Sequence, residues 1–156
     1  MVAIWTSVVA VGGTLMGAVI THLFQRLAAT RGELFARSEA LRQERTATYS
    51  SFAAAVEDYR HGQAGRWYRM RQNDHAGEAF IEARDEAHRL RTATRQVLYR
   101  VKLLTDDPEV IAAAEQAYGC TRDVSTAQDQ AEHDALDAGA RQAIEDFITR
   151  AAPLTR

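Results

Sequence analysis

Residues 2–25 contain no formally charged side chain, and few folds accept such a run. It reads VAIWTSVVAVGGTLMGAVITHLFQ, 24 residues long, where ~20 helical residues cross a bilayer core. A soluble helix of this length normally carries a polar face. Here the polar positions are only Thr6, Ser7, Thr14, Thr21 and His22 ahead of the terminal Gln25. Hydroxyl side chains can return a hydrogen bond to the helix backbone, so lipid tolerates them. Trp5 near one end, and His22 with Arg26 near the other, suit the two interfaces. A cleaved signal would need a basic leader and a small-x-small site. No Lys or Arg precedes the run, and an arginine-rich segment follows it. The sequence therefore predicts a retained transmembrane helix over 1–25, with the lipid bilayer as a partner.

The flanks set an orientation. Arg26, Arg31, Arg37, Arg42 and Arg45 all follow the span. Positive flanks stay inside, which predicts a single-pass protein of the cytoplasmic membrane with its N-terminus outside and the remainder cytoplasmic. One cysteine, Cys120, excludes an intrachain disulfide and agrees with a reducing compartment. Within the span, Gly13 and Gly17 form a GxxxG, extended by Ala10 and Thr21. Small residues let two membrane helices approach closely. These four positions are the candidate association face of a homo-oligomer, although glycine and alanine are also common in membrane helices.

Beyond the span the pattern is helical. Proline is absent until Pro108, and only two occur in the chain. Leu34, Leu41, Tyr49, Phe52, Val56, Tyr59 and Trp67 recur near every 3.5 residues or a multiple of it. They predict a long membrane-proximal helix over 26–72, bent or frayed by Gly32, Gly62 and Gly65, each costing about 1 kcal/mol relative to alanine. The Asn73–Gly77 cluster is a turn signal. Phe80, Ala83, Ala87, Leu90, Thr94, Val97, Val101 and Leu104 step by three and four, a heptad seam. Ile81 and Leu98 widen it. Asp106 or Asp107 caps the next helix, with Pro108 in its first turn. That helix carries Ile111, Ala114, Tyr118, Thr121 and Val124; the last carries Leu136, Ala140, Ala143, Phe147 and Ala151, with Ile144 and Ile148 beside them. The fold class is all-α: a transmembrane helix continuing into a long helix, then an antiparallel helical bundle. The remaining helices, within 73–156, fall at about 78–104, 108–129 and 134–152. An alanine-rich core of this kind predicts modest stability unless chains associate.

Charge divides the chain. Residues 1–104 carry a net +5 and residues 105–156 a net −7, summing to the overall −2. Only the first part suits an anionic surface. Arg66-Trp67-Tyr68-Arg69-Met70-Arg71 mixes cations with aromatics, so Arg60, Arg66, Trp67, Arg69 and Arg71 are candidate contacts for a partner, a membrane or a nucleic acid. The commoner meaning of such a run is one core face and one solvated face, which disfavours nucleic acid.

Asp58-x-x-His61 and Asp85-x-x-His88 have one half of the di-iron bundle spacing. Both lie off the apolar stripes, whereas bundle metals need inward ligands, so no metal is expected. Glu132-His133-Asp134 reads as an exposed turn, because successive helical residues do not face one another. Cys120 lacks the basic surroundings of a reactive thiol. The sequence holds no Walker loop, GxGxxG, HExxH or GxSxG. The expectation is no enzyme, no cofactor and no catalytic residue.

The segments TSVVAVGGTLMGAVITHLFQR, LRQERTATYSSFAAAVEDYRHGQAGRW and HRLRTATRQVLYRVKLL resemble small actinobacterial membrane proteins. Some of these are labelled KilB-like, after a protein linked to spread of conjugative Streptomyces plasmids. The resemblance covers most of the chain and implies a membrane-anchored scaffold or accessory protein. It supplies no catalytic residue. Three readings follow. The leading one is a non-enzymatic membrane-anchored scaffold that self-associates or docks an unidentified protein. The others are an oligomeric pore-like or envelope-associated protein, and a plasmid-transfer accessory contacting nucleic acid.

Overall fold

The computed structural model describes the backbone of residues 2–72 and 77–156, and their side chains from residue 35 onward. All regular structure there is helical. Four α-helices follow one another: α1 (Val2–Arg71), α2 (Glu78–Leu104), α3 (Pro108–Asp123) and α4 (Gln130–Ala151). Short 3₁₀ turns occupy Val124–Thr126 and Ala152–Thr155. By packing, the chain divides into Met1–Leu41 and Arg42–Arg156. No helix among the described residues is long and apolar enough to cross a membrane. The side chains of the expected span, and with them Ala10, Gly13, Gly17 and Thr21, lie outside the described residues. So does most of the 73–77 turn signal.

In the first unit, Phe35 and Leu41 are exposed. The second unit holds the core. Phe52, Val56, Val101, Val110, Ala114, Ala117 and Phe147 exclude solvent almost completely, with Tyr49, Leu98, Ala113, Ala143, Ile144 and Ala151 around them. Phe147 meets Phe52 edge-on at 4.8 Å between ring centroids, and Tyr49 at 6.0 Å. Edge-to-face packing suits the aromatic quadrupole. Alanines on α3 and α4 let those two helices approach closely.

The α1 stripe from Tyr49 to Trp67 is buried, but Leu41 is not. Gly62 and Gly65 do not interrupt the helix. Gly62 serves a close approach instead: a Cβ there would stand 2.6 Å from Leu90 Cδ1 on α2. On α2 the heptad seam faces inward at Ala87, Thr94 and Val101, joined by Leu98. Thr94 Oγ1 shares its one proton between the Ala55 and Leu90 carbonyls, at 2.9 and 2.8 Å. A buried hydroxyl is thereby satisfied, and α2 is tied to α1.

Two details differ from the sequence expectation. The inward face of α3 is Val110, Ala113, Ala114, Ala117 and Thr121: Ala114, Thr121 and Val124 of the expected stripe are buried, whereas Ile111 and Tyr118 are only half-buried and Val110, Ala113 and Ala117 complete the face. Alanine's small apolar surface had weakened the pattern that would have located it. The helix also ends at Asp123 rather than near 129, and α4 starts at Gln130 rather than 134. A reciprocal cap sets the start of α4. Asp129 accepts from the Glu132 backbone N–H at 2.9 Å, and the Glu132 carboxylate accepts from the Gln128 N–H at 2.7 Å. This is a shifted form of the capping box, with both otherwise orphaned donors satisfied. Asp107 caps α3 by accepting from the Glu109 and Val110 N–H groups, with Pro108 in the first turn.

Candidate functional site

Along its last three turns α1 buries polar side chains, Arg60 and Gln63, beside aromatic ones. Gln63 occupies the inward position between Tyr59 and Trp67 and is 3% exposed. Its amide donates to the Arg122 carbonyl at 2.6 Å and to Ser125 Oγ at 3.0 Å. Trp67, 1% exposed, donates from Nε1 to the Ala127 carbonyl at 2.7 Å. Its ring stacks on His133 at 4.2 Å. Together these bonds hold the 3₁₀ turn after α3 against α1.

Arg60 is also interior. Its guanidinium pairs with Glu57 at 2.6 Å and with Asp137 of α4. Asp137 in turn receives Arg141 at 2.9 Å. The Arg60 hydrogen bond, more than simple attraction, holds the Glu57 carboxyl below its ordinary range, against the opposing effect of burial. Arg60 is pushed up by the same bond.

The expected basic-aromatic contact group is therefore split. Arg60 and Trp67 belong to the interior and present nothing to an external strand or surface. Arg69 and Arg71 remain exposed. Arg69 bonds Gln72 at 3.3 Å. Arg71 donates to the Gln128 carbonyl at 2.7 Å, with its guanidinium 5.4 Å from the Trp67 ring centre, within cation–π range. Arg66 is half-buried, and its Nε is fully buried without a hydrogen-bond partner. An unpaired buried donor costs about 1–3 kcal/mol, more when charged.

Arg66 lines a cleft of about 230 Å³, together with Tyr59, Gln63, Arg91, Arg122 and Asp123. Three arginines line it, from α1, α2 and the end of α3. Arg122 pairs with Asp123 at 2.7 Å. Arg91 donates from Nε to Tyr118 Oη at 3.4 Å. Burial, aided by the neighbouring Tyr118, pushes the Tyr59 phenol up to about 12, outweighing the arginines that favour its anion. The phenol thus keeps its proton. Two hydroxyls of the wall are engaged: Ser125 accepts from Gln63, and Thr126 Oγ1 donates to the Asp123 carbonyl at 2.7 Å.

Asp58, His61, Asp85 and His88 are all exposed. Among the described residues no three His, Cys, Asp or Glu side chains are grouped to hold a metal. His133, expected in an exposed turn, is 4% exposed. Gln63, Arg91, Arg122, His133 and Asp137 were not identified as site residues. Two of them carried a sequence signal: Gln63 falls four residues before Trp67 on its stripe, and His133 seven before Ala140. Arg91 and Arg122 carried none, because only tertiary packing unites them.

The family of the KilB plasmid transfer protein matches residues 46–155. This range spans the described bundle almost exactly from the first core residues of α1 to the final 3₁₀ turn. No curated protein and no solved structure matches the chain. With the match covering well over half its length, the chain belongs to the KilB plasmid transfer protein family.

Proposed function

We propose that this protein is a non-enzymatic accessory of plasmid transfer, in which a helical bundle is held at the cytoplasmic membrane face and acts by docking protein partners or further copies of itself. The observation that carries the reading is the family match over 46–155. It coincides with a bundle whose core is alanine, valine and aromatic side chains. The uncharged run over 2–25, followed by five arginines before residue 46, supports an anchor with its N-terminus outside. The burial of Arg60 and Trp67 weighs against direct nucleic-acid contact through the basic-aromatic segment. Partner docking is accordingly preferred to strand binding.

The test uses a conjugative plasmid deleted for its own KilB-family protein. The full chain is expected to restore transfer and to stay in the membrane pellet after a carbonate wash. Val11→Arg with Leu15→Arg places two charges mid-span, each costing about 2.5–3.5 kcal/mol in a membrane helix. The double variant should move to the soluble fraction and lose at least tenfold in transfer. A soluble wild-type chain would sink the anchor. Restoration by the soluble variant equal to wild type would sink action at the membrane.

A further inference from the structure

We infer that the three-arginine cleft binds a terminal phosphate group, a phosphomonoester dianion presented by a small soluble molecule or by a lipid headgroup. The inference is independent of the proposed role in transfer. Among its lining residues Arg66, Arg91 and Arg122 face a single carboxylate, Asp123. Asp123 is already paired with Arg122, so the cleft holds about two uncompensated positive charges. A phosphomonoester carries about −1.5 to −2 near neutral pH, which matches. A carboxylate or phosphodiester carries a single negative charge and leaves one cation unanswered.

The donor geometry points the same way. Guanidinium forks suit phosphate oxygens, and the three arginines that line this one cleft come from three separate helices. The Tyr59 phenol retains its proton and so adds no negative charge against the ligand. A volume of about 230 Å³ lies below the ~300–1,000 Å³ of sites that enclose a whole drug-sized ligand. It suits a phosphate and its ester oxygen, with the remainder of the ligand outside.

Calorimetric titration of the full chain in neutral detergent tests this. Phenyl phosphate is expected to bind at one site per chain, and dimethyl phosphate, a monoanion, at least tenfold more weakly. Arg91→Gln and Arg122→Gln alter exposed side chains, so both variants should fold. Each should weaken phenyl phosphate at least tenfold, while Arg95→Gln, exposed on the same helix, leaves it unchanged. Dihexanoyl phosphatidate separates the two sources. Binding at least tenfold tighter than phenyl phosphate identifies a lipid headgroup, and weaker or similar binding identifies a soluble phosphomonoester. No binding of phenyl phosphate, equal binding of dimethyl phosphate, or full affinity in both glutamine variants overturns the site.

Discussion

Replacing Phe147 by alanine is expected to lower stability by about 3–5 kcal/mol. The ring is wholly buried and touches rings of α1 on two sides, Phe52 and Tyr49. Its loss removes apolar burial and leaves a cavity. The surroundings cannot close that cavity cheaply, because Ala113, Ala114, Ala117, Ala143 and Ala151 have no side-chain length to swing into it. Against a total of roughly 5–15 kcal/mol for a domain, the change is a large fraction. In thermal melts followed by circular dichroism the midpoint should fall by about 10–20 °C. Ile148→Ala is the control, since that neighbour is 42% exposed and should cost less than about 1 kcal/mol. Equal melting of the two variants would mean that α4 does not close the core as described.

That core was largely legible in the sequence, and the reason is periodicity. Phe52, Val56, Val101 and Phe147 are large apolar residues at helical spacing, and such residues leave few choices of face. Legibility failed where side chains were small. The inward row of α3 is mostly alanine, and alanine is common on exposed helix faces too, so Ala113 and Ala117 carry little signal beside the half-buried Ile111 and Tyr118. It failed again at the α3–α4 junction. There, the carboxylates of Asp129 and Glu132 start α4, and the junction contains no proline or glycine. A capping pattern was present in Asp129 and Glu132, but it is weaker than a breaker.

The polar interior was less legible still. Propensity treats an arginine beside a glutamate on a helix as a solvated pair, and Arg60 with Glu57 fits that description locally. Only the approach of α4 makes the pair internal. Trp67 shows the converse. Its neighbours Arg66, Arg69 and Arg71 suggest a contact surface, yet the ring packs on His133, while Tyr68, Arg69 and Arg71 remain outside. The three cations of the cleft are separated by 25 and 31 residues along the chain. Their convergence is a property of the bundle, not of any local pattern.

The buried ion pair gives the second large effect. Arg60→Met is expected to destabilise the protein by about 2–3 kcal/mol, below the ~3–5 kcal/mol of a fully buried broken pair. Two features set the lower figure. The Glu57 side chain is 38% exposed, so water screens part of the released charge. Asp137 keeps Arg141 at 2.9 Å. Combining Arg60→Met with Asp137→Asn should recover part of the loss, since the isosteric amide removes the charge of the less exposed carboxylate that loses Arg60. A double variant no more stable than the single one would show that packing, not charge, holds Arg60 in place. The acid limb of stability adds a signature. Glu57 titrates below its usual 4.5 in the folded chain, so it stabilises the fold above that value. Its contribution fades as the pH falls through the lowered folded value. Wild type should therefore lose stability between pH 4.5 and lower pH. Arg60→Met, whose Glu57 no longer has the guanidinium that holds its proton affinity down, should lose less over the same window. Parallel acid curves for the two proteins would remove the Arg60–Glu57 bond as the cause.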